Sequence, residues 1–236
     1  VSLFVMESRL RMTGVGNSEV PSDLLVSRTA EHIRATMSGD SSGHDWWHIH
    51  RVWQMARRLA IEEHADLRVV ELAALLHDIA DWKFHDGDLS VGPRKAGEWL
   101  DSLGAPADVR GRVVEIVSRV SFKGAGVPDE MPCLEGRIVQ DADRLDAIGA
   151  VGIARAFAYG GHAGRLMYDP DHPPEMHDSA EAYRKRGGPT INHFYEKLLL
   201  LKNRMHTEAG RRLAAERHRF MEGFLDQFFS EWGGRS

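Results

Sequence analysis

Apolar positions recur along most of this chain at helical rather than strand spacing, and one run departs from simple amphipathicity. In Val69-Val70-Glu71-Leu72-Ala73-Ala74-Leu75-Leu76 nearly every side is apolar. A helix that is hydrophobic all round belongs inside a protein, so a buried helix is predicted over Asp66–Asp78, with His77 and Asp78 presented where it runs out at the core's edge. Before it, one helix is expected from Ser22 to Met37, stopped by Gly39 and the Asp40-Ser41-Ser42-Gly43 turn. The next begins near Asp45, and its stripe of His48, Val52, Met55 and Leu59 puts a histidine at the head of an apolar face. Further helices are predicted over Asp88–Leu103 and Pro106–Val120, with Gly104 between them.

A long helix is predicted from Leu134 to Tyr159. On it Val139, Asp143, Asp146 and Ala150 share one face, and Asp141 points roughly the other way at about 100° per residue. Residues 160–190 are rich in Gly, Pro and His and read as a long functional loop. Two amphipathic helices follow, Ile191–His206 and Glu208–Trp232, the second with Thr207 as its N-cap and a core-like spacing of Leu213, Phe220, Phe224 and Phe228. Strand alternation is missing, so the fold class is all-α. Residues 1–20 read as a flexible extension and residues 21–232 as one domain with C-terminal helices.

At 236 residues the chain is long enough for one sizeable core. Its net charge of −5 lacks the basic footprint that sequence-independent binding to DNA or RNA requires, but a small phosphorylated ligand needs only a few local cations. The single cysteine, Cys133, forms no intramolecular disulfide and no Cys-based zinc motif, which points to a reducing, cytoplasmic setting. No apolar stretch approaches the ~20 residues that cross a bilayer. Oligomeric state is not fixed by these features.

The buried run's His77-Asp78 gains weight from two partners, His48 upstream and Asp143 downstream. Two neutral imidazoles and two carboxylates leave a divalent ion with a net charge near zero and its Lewis acidity intact. Mixed N/O ligation suits Mn²⁺, Fe²⁺, Co²⁺, Ni²⁺ or Zn²⁺ better than an all-oxygen Mg²⁺ site. Such an ion lowers the pKa of water to about 7.

The order His48…His77-Asp78…Asp143 resembles the HD superfamily of metal-dependent phosphohydrolases. The segments carrying it are His48-Ile49-His50-Arg51-Val52, the His-Asp pair, and Ala142-Asp143-Arg144-Leu145. With His44 to His48, His77 to Phe84, Gln140 to Phe157 and His193 to Leu198, the match narrows to a bacterial branch that includes YedJ-like and YpgQ-like proteins, over roughly Pro21 to Trp232. The resemblance implies an HD-domain helical bundle and one divalent ion held by His48, His77, Asp78 and Asp143. It implies Mn²⁺ or a similar ion, with Mg²⁺, Co²⁺, Ni²⁺, Fe²⁺ and Zn²⁺ as alternatives. It also implies hydrolysis of a small phosphorylated substrate, a nucleotide, at a phosphoanhydride. Release of phosphate from nucleoside monophosphates and a non-catalytic nucleotide-binding module are the alternatives. Two-iron relatives carry extra histidines before the last ligand, whereas His85 is the only one here from Ile79 to Ala142, so a mononuclear site is expected.

Asp81, three residues after Asp78, is the candidate proton-handling carboxylate, and Lys83 a catalytic phosphate contact. Arg51, Arg144, Arg155 and Lys197 are candidate substrate contacts, although Arg51 and Arg144 also read as partners of Asp146 or a nearby acid, the reading favoured for Arg144. Asp146 itself is a candidate acceptor behind the ligands. His44 is read as a cap or packing residue, and His162, His172 and His177 as solvated loop residues. Phe194 and Tyr195 are assigned to the core. Trp46, Trp47 and Trp53 are assigned to packing, an exposed one being able to stack on a nucleobase.

Overall fold

A computed structural model describes residues 21–37, 45–80, 88, 90–120, 130–176 and 187–235. Its elements are α1 (Ser22–Thr36), α2 (Trp46–Glu62), α3 (Leu67–Leu76), α4 (Val91–Ser102), α5 (Ala107–Arg119), α6 (Leu134–Asp146), α7 (Gly149–His162), α8 (Asn192–Glu196), a 3₁₀ helix (Leu198–Arg204) and α9 (Glu208–Trp232). No strand occurs among the described residues, so the all-α expectation holds.

The all-round apolar run is the centre of the bundle. Seven of its side chains, Val69, Val70, Leu72, Ala73, Ala74, Leu75 and Leu76, are buried, and α3 packs against α1, α2, α5 and α6. Helix α2 lies between α3 and α6, its inner stripe being His48, Ile49, Val52, Ala56, Leu59 and Ala60. Side-chain caps set where the key helices begin. Asp45 Oδ1 accepts from His48 N at 2.9 Å, Asp66 Oδ1 from Val69 N at 3.3 Å, and Thr207 Oγ1 from Gly210 N at 3.0 Å. Each satisfies a backbone donor that the first turn leaves without an intrahelical acceptor.

Three expectations need correction. The helix expected from Leu134 to Tyr159 is two helices, broken at Ala147 and Ile148. Gly149 takes φ +77°, and a Cβ on Gly152 would stand 2.2 Å from the Ala147 carbonyl oxygen, so the turn depends on both glycines. The helix expected over Ile191–His206 is the short α8 followed by the 3₁₀ stretch, with Lys197 at φ −143°, ψ −59° between them. Phe220 and Tyr195 are exposed rather than core. The inner face of α9 is instead Leu213, Ala214, His218, Met221 and Leu225, and Phe194 is fully buried as expected.

Helix α6 is held at its far side by Asp141, which is wholly buried. Its carboxylate accepts from His206 N at 2.9 Å, Thr207 N at 2.8 Å and Thr207 Oγ1 at 2.7 Å. One side chain thereby ties the centre of α6 to the start of α9.

Candidate metal centre

Three elements converge on one corner. Helix α2 brings His48 in its first turn, α3 ends in His77-Asp78, and α6 brings Asp143 near its end. One ligand atom each from His48, His77 and Asp78 fall within 4.8 Å of one another. Asp143 Oδ1 lies 3.6 Å from His48 Nε2 and 3.9 Å from His77 Nε2, and Asp78 Oδ2 lies 3.5 Å and 3.6 Å from the same two nitrogens. Three of the residues picked out in the sequence, His48, His77 and Asp78, thus group closely enough to hold one ion, and Asp143 stands beside the two histidines. These separations suit atoms facing a common centre better than atoms hydrogen-bonded to each other.

The hydrogen bonds behind the rings fix which nitrogen faces inward. His77 Nδ1 is 2.8 Å from the Ala74 carbonyl oxygen, which only accepts, so Nδ1 carries the proton and Nε2 faces the centre. That Nε2 is buried and has no hydrogen-bond partner among the described residues, a costly arrangement unless something else engages it. His48 Nδ1 is 2.8 Å from Asp146 Oδ2, so its Nε2 also faces inward. The corner presents two imidazole nitrogens and two carboxylates, a donor set that fits a divalent cation.

Electrostatics agree. Burial alone would lower the pKa of His48, but its contacts with Asp146 and Asp78 outweigh burial and push it up to about 9. Asp146 is buried, which would raise its pKa, yet His48, Arg51 and Arg155 hold it well below the usual carboxylate range.

Around Asp146 the arginines take up defined places. Arg51 donates from Nε to Oδ1 at 2.7 Å and from Nη2 to Oδ2 at 3.1 Å, and Arg155 Nη1 donates to Oδ2 at 2.8 Å. Arg51 is partly exposed. Arg144 is buried and turned elsewhere: its Nη1 donates to the Arg204 carbonyl oxygen and lies 3.1 Å from His206 Nε2. The structure thus gives Arg144 a place in packing α6 on the start of α9. Lys197 is half-buried at the end of α8. Asp81, Lys83, His44, His85 and His177 lie outside the described residues.

Trp53 Nε1 donates to Glu71 Oε1 at 3.0 Å, Trp46 packs on the core, and Trp47 is 57% exposed. His162 is exposed, and His172 lines a cavity of about 400 Å³ with Arg165 and Asp169. The role of Asp141 has no signature in the sequence, because its partners His206 and Thr207 lie far along the chain.

Comparison with known proteins places this geometry in a family. The HD domain family matches residues 46–148. YpgQ of Bacillus subtilis is 41% identical over 205 residues, covering 85% of this chain and 92% of YpgQ. Among solved structures, a Lactobacillus plantarum protein superposes with TM-score 0.81 at 38% identity, covering 91% of this chain and all of that one. An HD-superfamily hydrolase from Bacillus thuringiensis does so with TM-score 0.71 at 42% identity, covering 90% and 99%. YpgQ has been crystallised in complex with ADP, and that structure covers 89% of this chain and all of its own with TM-score 0.68. The identity in that superposition is 33%. No described helix is long and apolar enough to cross a membrane.

Proposed function

The chain belongs to the HD superfamily of metal-dependent phosphohydrolases, and from that membership and the geometry of its centre we propose that it hydrolyses nucleotide phosphoanhydrides, releasing pyrophosphate from nucleoside triphosphates. The observation that carries the reading is the buried, unpartnered Nε2 of His77, facing the same point as His48, Asp78 and Asp143. The crystallised ADP complex of the relative YpgQ supports a nucleotide ligand.

In this reading His48, His77, Asp78 and Asp143 hold one divalent ion, Mn²⁺ being the first choice. The bound ion supplies Lewis acidity toward a phosphoryl oxygen and a lowered water pKa. The two imidazoles enter neutral, their orientation fixed from behind by Ala74 and Asp146. Arg51 keeps Nη1 without a partner among the described residues, since Asp146 takes only Nε and Nη2. That free edge offers a phosphate oxygen the fork geometry of a guanidinium. Arg155, on the same carboxylate, adds positive charge beside it, and Lys197 is a further candidate contact. Asp81 is assigned to proton handling and Lys83 to a phosphate contact. Negative charge developing on the phosphoryl oxygens is offset by these cations.

The test is product release, with phosphate and pyrophosphate assayed separately from a panel of NTPs, dNTPs and NMPs with Mn²⁺ supplied. Pyrophosphate from triphosphates, absent in Asp78→Ala, is the expected result. Phosphate from monophosphates alone would replace the reading with a phosphatase. Nucleotide binding without any product would make the domain a binding module.

A further inference from the structure

We propose that Asp146 is the positioning residue that aligns the metal side and the substrate side of this centre together: one carboxylate fixes the His48 ring and sets the two guanidinium groups beside it. The metal half stands on geometry alone, while the substrate half rests on the phosphohydrolase reading.

Both oxygens of Asp146 are occupied. Oδ2 faces His48 Nδ1 at 2.8 Å, Arg155 Nη1 at 2.8 Å and Arg51 Nη2 at 3.1 Å, and Oδ1 takes Arg51 Nε at 2.7 Å. A carboxylate accepts about four hydrogen bonds, so this one is saturated. Three residues beyond Asp143 on the same helix, it therefore stands behind the ligands and does not join them. The side chain is only 6% exposed, which leaves water little access to replace any of these donors.

The two inward imidazoles are anchored unequally. His77 leans on the neutral Ala74 carbonyl and His48 on a full negative charge. A carboxylate partner makes the bond charge-assisted and raises the basicity of the opposite nitrogen, so His48 is the stronger donor of the pair. A third carboxylate beside Asp78 and Asp143 would ordinarily load the corner with excess negative charge. Arg51 and Arg155 cancel that excess, and in doing so are themselves held at the centre's shoulder. Removing Asp146 thus loosens a ligand and two cations at once.

The experiment compares wild type, Asp146→Asn and Asp146→Ala by three readouts. The first is Mn²⁺ affinity by calorimetry. The second is the ¹⁵N shift pair of the His48 ring in the Zn²⁺-loaded protein. The third is ADP affinity at saturating Zn²⁺. In Asp146→Asn the amide oxygen takes the Oδ2 place, where three donors converge, so the ring keeps its tautomer while the charge and the bond from Arg51 Nε are lost. Mn²⁺ affinity is expected to fall about threefold to tenfold in Asn and about 10- to 100-fold in Ala. The Ala protein should show a mixed or inverted His48 shift pair, and ADP should bind at least about tenfold more weakly. Purely structural support would lower thermal stability and leave the shift pair unmoved. The proposal is overturned if Asp146→Asn, the near-isosteric variant, changes Mn²⁺ affinity by less than twofold. It is also overturned if Ala keeps the wild-type shift pair, or if Ala weakens metal while ADP affinity holds. Absence of turnover with every substrate would strike the phosphohydrolase reading and leave the metal and shift readouts intact.

Discussion

Helix α6 carries three aspartates in six residues, and the protein uses the first and the other two in opposite ways. At Asp141 the carboxylate meets fixed donors: two backbone N–H groups and one hydroxyl, all from His206 and Thr207. Nothing there is left unsatisfied, and the contact joins two helices. At the other face Asp143 and Asp146 stand with His48, His77 and Asp78, where like charges gather and a buried imidazole nitrogen has no hydrogen-bond partner among the described residues. Asp141 and Asp146 are both buried, so burial alone does not tell these two apart. Asp146, like Asp141, is answered by protein donors; the difference lies at His77 Nε2, which no described residue answers with a hydrogen bond, so the second corner asks for a ligand.

The largest effect expected from this contrast is at the unsatisfied corner. His77→Ala should remove metal binding and cost about a thousandfold in turnover, while the thermal midpoint of the metal-free protein stays within a few degrees of wild type. Steady-state rates and calorimetric scans on one preparation decide it. Asp141→Ala should do the reverse. Leaving His206 N and Thr207 N buried without an acceptor should lower stability by about 2–4 kcal/mol in denaturant titration, with metal affinity unchanged. If Asp141→Ala weakens metal binding as strongly as His77→Ala does, the distinction between the two faces fails.

A pH series sharpens the same contrast. With its pKa raised to about 9 from an ordinary 6.5, protonated His48 stabilises the metal-free protein fully below pH 6.5, and that contribution fades as pH rises through about 9. Metal binding runs the other way, because the ion displaces this proton. Apparent metal affinity should rise about tenfold per pH unit up to about 9 and then level off, read by calorimetry in buffers of different ionisation heat. The smallest effect belongs to the helix break: Gly149→Ala, at φ +77° and with a Cβ 3.0 Å from the Arg217 side chain, should cost about 1 kcal/mol.

The two faces are also unequally legible in sequence. The metal corner is spelled by residue types with strong chemical preferences at the ends of patterned helices, which brings out His77-Asp78 with His48 and Asp143, while the resemblance to the HD superfamily is what selects His48 over His44. Helical periodicity also places Asp146 beside Asp143. It does not show that Arg51 and Arg155 converge on Asp146, since a guanidinium's partner depends on tertiary geometry. Asp141 carries no signal, because its acceptor role depends on backbone N–H groups of His206 and Thr207, and backbone donors are common to nearly every residue. The break between α6 and α7 is hidden for a similar reason: the apolar period reads straight through Ala147 and Ile148, and the break depends on the conformation of Gly149 and the close approach at Gly152. In the Ile191–His206 stretch, periodicity suggests one α-helix where the chain tightens into 3₁₀ geometry after Lys197.

Metal titration of wild type, His77→Ala and Asp141→Ala tests the central claim most directly, with Mn²⁺ as the probe and stoichiometry measured per chain. The expected result is one ion per chain in wild type and in Asp141→Ala, and none in His77→Ala under the same conditions. Equal, tight binding of Mn²⁺ in His77→Ala would show that the corner built from His48, His77, Asp78 and Asp143 is not the metal centre.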